Sequence, residues 1–130
     1  MTKTILLLLV EDEPMILVNA EDALVSGGYT VVTALNGQEA MARLAEQSEE
    51  FAGLITDVRL GRDMDGWEVA RKAREMNGRM AVVYMTGDSA ADWAAQGVPK
   101  SLILQKPFAD AQLVTAISTL LTEVDSTPIG

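Results

Sequence analysis

Four short apolar runs in this chain stop at residues that can do chemistry. Residues 5–10 end at Glu11-Asp12-Glu13, residues 51–56 at Asp57, residues 80–85 at Thr86-Gly87, and residues 101–104 at Gln105-Lys106-Pro107. Taken singly, each ending is ordinary. An Asp closing a strand is a turn former, acidic residues before a helix complement its positive end, and Thr-Gly and Lys-Pro are common turns. Brought to one place, they make a specific set. Two or three carboxylates with oxygen ligands only suit a hard cation, typically Mg²⁺ with several retained waters. A Lys offers a point positive charge to a phosphoryl oxygen and a Thr hydroxyl can donate to another. An Asp carboxylate is then a nucleophile that gives an aspartyl-phosphate.

Composition narrows the choice further. At 130 residues the chain has the size of one domain. The net charge of −9 argues against nucleic-acid binding and fits an anionic membrane surface poorly. There is no Cys and no His, which removes disulfides, thiol chemistry, imidazole catalysis and His metal ligation. The first apolar run is too short for a signal-peptide core with a cleavage site, and nothing reaches membrane-spanning length. The cytoplasm is the expected location.

The elements that must position these residues alternate regularly. Residues 5–10 read as a buried strand, and Pro14 opens a helix over residues 15–26 with Ile16, Leu17, Ala20, Leu24 and Val25 on its apolar face, stopped by Gly27-Gly28. Residues 29–34 form an edge strand. Asn36 with Glu39 makes a near capping box for a helix to residue 48, its stripe being Ala40, Met41, Leu44 and Ala45. Residues 51–57 are the third strand, residues 58–65 a loop, and residues 66–76 the third helix. A fourth strand over residues 80–85 leads to a short Ala-rich helix over residues 88–96. A fifth strand over residues 101–104 leads to a last helix capped by Asp110 and running to about residue 123, with Leu113, Ile117, Leu120 and Leu121 on one face. The domain is expected to span residues 1–124, with 125–130 a short flexible tail. Trp67, Trp93 and the methionines, Met76 and Met85 among them, are assigned to packing. Five strands alternating with five helices predict an α/β fold, a parallel sheet covered on both faces, with all strand ends on one edge.

Leu-Leu-Val-Glu11-Asp12-Glu13, Ile-Thr-Asp57, Met64-Asp65-Gly66, Met-Thr86-Gly87 and Lys106-Pro107-Phe108 closely resemble the receiver domain of two-component response regulators, over nearly the whole chain. The resemblance implies a flavodoxin-like doubly wound sheet of strand order 2-1-3-4-5, Mg²⁺, and phosphorylation by a sensor histidine kinase. It makes Glu11 and Asp12 the acidic pair and Asp57 the phosphoacceptor and a metal ligand. Arg59 lends its backbone carbonyl to the metal, Thr86 is the switch hydroxyl, Lys106 binds the phosphoryl group, and the Lys106-Pro107 bond is cis. The expected product is a stand-alone phosphoacceptor module, not an enzyme. It would act on a downstream protein or phosphotransfer partner through residues 86–96 and the adjoining face. The chain departs from the family pattern at three places. Ile103 stands where an aromatic is usual, the loop after Asp57 is one residue longer and lacks its Pro, and the segment between Thr86 and Ser101 is compact. A receiver-like adaptor that works without phosphorylation is one alternative. An aspartyl-phosphate hydrolase of the haloacid dehalogenase type is another, disfavoured because Arg59 occupies the position where such enzymes carry a second Asp.

Overall fold

The computed structural model describes residues 4–61 and 64–126. Strand β1 (Leu6–Val10) is followed by α1 (Pro14–Ser26), β2 (Thr30–Ala34), α2 (Gly37–Gln47), β3 (Phe51–Asp57), α3 (Gly66–Met76), β4 (Ala81–Thr86), a 3₁₀ turn (Ala90–Asp92), α4 (Trp93–Gln96), β5 (Ser101–Gln105) and α5 (Asp110–Ser126). The strands form one parallel sheet in the expected order, β2-β1-β3-β4-β5.

The continuous apolar runs are explained by two cores, one on each face. Leu8 and Val10 of β1, Leu54 of β3, and Val82 and Tyr84 of β4 pack with Ala40 and Leu44 of α2 and Val69, Ala70 and Ala73 of α3. Their neighbours Leu7, Leu9, Ile55, Ala81, Val83 and Met85 face Ala20 and Leu24 of α1 and Leu113, Ala116, Ile117 and Leu120 of α5. Alternate side chains of a strand point to opposite faces, so a strand covered on both sides is apolar at every position.

Local chemistry sets the element ends. Asn36 Oδ1 accepts from the Glu39 amide at 2.8 Å, whereas the Glu39 carboxylate reaches Leu35 N rather than the cap residue's own amide. Asp65 caps α3 through Glu68 N at 2.9 Å. Gly28, at φ +100°, turns the chain out of α1.

Several expectations shift. Val25 and Ala45 lie outside the buried stripes of their helices, and Ala23 takes a core place on α1. Met76 is 44% exposed at the end of α3, so it is not core filler. Asp110 is the first residue of α5 rather than its cap, and Gln112 Oε1 accepts from Ala109 N instead. Helix α5 continues to Ser126, two residues past the expected domain end, and residues 127–130 of the tail lie outside the described residues. The largest difference is the fourth helix. In place of a helix from residue 88 there is a bend, one 3₁₀ turn and four α-helical residues. The amides of Asp88 and Ser89 donate to the Thr86 hydroxyl, which winds the chain into a turn where a first helical turn would start.

Candidate functional site

Sheet register assembles the site. Val10 is level with Thr56, Asp57 with Met85, and Thr86 with Gln105. The residues that follow those pairs therefore emerge side by side at the carboxyl edge. The ladder continues just past the strands, with Glu11 N on Ala34 O at 3.1 Å, Val58 N on Met85 O at 3.0 Å and Lys106 N on Thr86 O at 2.7 Å. These bonds hold the emerging residues on sheet backbone instead of on free loops.

Glu11, Asp12 and Asp57 converge, each offering a carboxylate oxygen within 4.8 Å of the others. Glu11 is fully buried and Asp57 nearly so, while Asp12 is exposed. Lys106 leans into the group, with Nζ 2.7 Å from Glu11 Oε1 and 3.4 Å from Asp57 Oδ1. The second Glu11 oxygen accepts from Glu13 N at 3.1 Å. The Lys106-Pro107 peptide bond is cis, as expected.

The electrostatics follow from burial beside like charge. Burial pushes the Glu11 carboxyl up to about 7, with the Lys106 bond pulling down and the Asp57 charge pushing up. Burial likewise raises Asp57, and Lys106 opposes it. Burial acts against the Lys106 ammonium, but its bond to Glu11 and the charges of Asp57 and Glu11 outweigh that and raise its pKa.

Of the remaining expected site residues, Thr86 is buried at the end of β4, where its Oγ1 accepts from Ser89 N at 2.8 Å and Asp88 N at 3.2 Å. Arg59 follows Asp57 on the exposed β3–α3 loop and its guanidinium pairs with Asp88 at 2.9 Å. That bond raises Arg59 and lowers Asp88. Ile103, in place of an aromatic, is partly buried against the α2/α3-side core.

Sequence reasoning missed three contributors. Gly66 opens α3 directly under the site: a Cβ there would stand 2.0 Å from the Asp57 carbonyl oxygen, and Gly66 N donates to Val58 O at 2.7 Å. Its place in Met64-Asp65-Gly66 was the available signal. Tyr84 is fully buried, packs against Trp67 with ring centroids 4.6 Å apart and the planes tilted by 56°, and accepts from Val98 N at 3.0 Å. Asp88 was read only as a helix start, yet it joins Arg59 to the turn at Thr86.

The donor set fits a hard divalent cation. All three groups are carboxylates, one is open to water, and a charge-balancing cation is the simplest relief for them.

Comparison with known proteins agrees with this fold. The response regulator receiver domain family matches residues 7–118. Over 101 residues the chain is 36% identical to the response regulator receiver protein CpdR of Brucella abortus (strain 2308), covering 76% of this chain and 82% of that protein. Over 121 residues it is 34% identical to the sensor kinase CckA of the same organism, covering 91% of this chain but spanning only 13% of that protein's length. A crystal structure of a response regulator receiver protein from Sinorhizobium medicae WSM419 matches with a TM-score of 0.90 at 40% identity, covering 94% of this chain and 98% of that one. With its fold, its acidic cluster and a family match across most of its length, the chain belongs to the response regulator receiver domain family of two-component signalling.

Proposed function

We propose that the chain accepts a phosphoryl group on Asp57 from a sensor histidine kinase and passes the signal to a downstream protein or phosphotransfer partner. The observation that carries this reading is the convergence of Glu11, Asp12 and Asp57 beside Lys106. Glu11, Asp12, Asp57 and the Arg59 carbonyl would hold Mg²⁺. When bound, Mg²⁺ supplies positive charge that offsets the carboxylates and the incoming phosphoryl oxygens.

The chain's own residues do the rest. An Asp57 oxygen attacks phosphorus as the phosphorus–nitrogen bond of the donor phosphohistidine breaks and the imidazole leaves with the electron pair. Lys106, already directed at Asp57 Oδ1, carries the positive charge that a transferred phosphoryl oxygen requires. Thr86 has its oxygen occupied as an acceptor by two amides, which leaves its hydrogen to donate to the phosphoryl group. Because those amides belong to Asp88 and Ser89, movement of Thr86 pulls on residues 86–96, the segment assigned to the readout.

The test is incubation with Mg²⁺ and acetyl phosphate, read by intact mass and by locating the modified residue. One added phosphoryl group on Asp57, abolished by Asp57→Ala, is the expected result. No label with any donor, a competent kinase included, leaves only the phosphorylation-independent adaptor. Turnover of small phosphate esters would instead favour the hydrolase.

A further inference from the structure

Three pairs in the chain set an Asn or Asp directly before a glycine: Asn36-Gly37, Asp65-Gly66 and Asn77-Gly78. Such pairs are chemically labile, because a glycine amide nitrogen, with no Cβ beside it, can close on the preceding side-chain carbonyl. The fold protects two of the three. Asn36 and Asp65 cap α2 and α3, their Oδ1 atoms accepting from Glu39 N at 2.8 Å and Glu68 N at 2.9 Å. The glycines that follow them open those helices and are buried. A Cβ on Gly37 would stand 2.7 Å from Met64 Cβ, and Gly66 N is spent on Val58 O at 2.7 Å.

The third pair lies where α3 ends. Asn77 follows Met76 and is half-buried, and Gly78 is exposed. Among the described residues no hydrogen bond engages Gly78 N, and a Cβ there would meet nothing nearer than Arg74 O at 4.0 Å. Ring closure needs rotation about the Cα–C bond of the first residue. At Asn77 that bond leads into an exposed turn, not into a fixed first turn of helix. Attack by Gly78 N on Asn77 Cγ drives negative charge onto Oδ1, and Arg79 N already donates to that oxygen at 3.1 Å. A nucleophile without a partner and a donor for the developing oxyanion meet at one side chain.

We propose that Asn77 is a site of spontaneous deamidation, and that its product unfastens the turn before β3 from the turn before β4. Gly78 N gives its proton to solvent and bonds to Cγ. The Cγ–Nδ2 bond breaks, and that nitrogen takes up protons from water and leaves as ammonia. Water then opens the five-membered imide at either carbonyl, giving an aspartate or its β-linked isomer. The amide lost is the fastening itself: Nδ2 donates to Ser48 O at 3.3 Å and Phe51 O at 3.2 Å. A carboxylate oxygen in its place has no hydrogen to donate and faces two carbonyl oxygens. The reaction is independent of the reading of Asp57.

The test ages the full chain in buffer at physiological temperature. Amide-to-acid conversion is followed by intact mass, located by peptide mapping, and paired with thermal melts. Conversion at Asn77 is expected several-fold faster than at Asn36. Gly78→Ala, whose added Cβ has open space, should melt as wild type when fresh and convert several-fold more slowly. Fresh Asn77→Asp, a stand-in for the product, should melt roughly 5 °C below wild type, as the loss of two bonds in a domain of this size implies. If Asn77→Asp does not fold, aged wild type against aged Gly78→Ala carries the comparison, and only the former should gain a lower-melting fraction in step with conversion. Conversion at Asn36 as fast as at Asn77, no conversion at Asn77, or a wild-type rate in Gly78→Ala overturns the site. Melting of Asn77→Asp or of the converted fraction at the wild-type temperature overturns the unfastening.

Discussion

Lys106 lies closer to Glu11 than to Asp57, with Nζ at 2.7 Å from the first carboxylate and 3.4 Å from the second. This ammonium is the counter-charge of a fully buried Glu. Removing it leaves that carboxylate uncompensated, a change that costs about 3 kcal/mol or more in a buried pair. Lys106→Ala should therefore unfold at lower temperature in the absence of metal. The deficit should shrink at acidic pH, where Glu11 takes up a proton. Thermal melts across pH check this, and a pH-independent deficit would contradict it.

The raised Glu11 pKa makes a second prediction, for the metal-free wild type. The folded value of about 7 exceeds the ordinary 4.5, so the proton is held more tightly in the folded protein. The associated stability is fully present below about pH 4.5 and is lost as pH rises through about 7. The loss is worth about 3 kcal/mol. Glu11→Gln should flatten this dependence. Added Mg²⁺ should raise the melting temperature by mass action, more so at the alkaline end where no proton competes. Asp57→Asn should stabilise the metal-free protein and weaken the Mg²⁺ response. Melting curves indifferent to millimolar Mg²⁺ would count against the cation site.

Gly66→Ala tests the floor of the site. Its Cβ would stand 2.0 Å from the Asp57 carbonyl oxygen, and backbone cannot yield as a flexible side chain does. A loss of about 2 kcal/mol is expected, as for overpacking elsewhere, together with a smaller Mg²⁺-induced rise in melting temperature because Asp57 is displaced. Gly87→Ala, where nothing lies within 4 Å of the added Cβ, is the control and should behave as wild type in both measurements.

Tyr84→Phe should leave the Val98 amide buried without its acceptor. The expected cost is about 1–2 kcal/mol in chemical denaturation, since an unmet buried donor costs more than a made bond returns. A neutral result would mean that the return from α4 to β5 relaxes at no cost.

Thr86→Ala separates phosphorylation from its readout. It should still take a phosphoryl group on Asp57 while the response of residues 86–96 is blunted. Trp93 is the natural probe, because its indole N–H donates to Ser101 Oγ at 2.9 Å and its ring packs on the α2/α3-side core. Wild-type Trp93 fluorescence should change on phosphorylation and the Thr86→Ala signal should not. A fixed wild-type signal, with movement elsewhere, would place the switch in another element.

What was legible in the sequence is what rests on patterns along the chain. Uninterrupted apolar runs at residues 5–10, 51–56 and 80–85 announce strands covered on both faces, because period-two geometry exposes every second residue unless a second layer covers it. In a parallel sheet all such strands end on one edge, so Glu11, Asp12, Asp57, Thr86 and Lys106 could be grouped before any distance was known. Proximity of this kind is set by topology, and topology is written in the order of the elements.

Distances between loops, and competition for a partner, are not written there. The preference of Lys106 for Glu11, the pairing of Arg59 with Asp88, and the reach of Tyr84 to Val98 join residues 95, 29 and 14 positions apart. Only the packed fold brings them together. The fourth helix shows the same limit locally. An Ala-rich stretch has high intrinsic helix propensity, but the amides of Asp88 and Ser89 are held by Thr86, and Trp93 is turned toward Ser101. A side-chain turn at the start of this nine-residue stretch and the bond of Trp93 to Ser101 in its middle outweigh a propensity of roughly a few tenths of a kcal/mol per residue, so only Trp93–Gln96 becomes α-helix.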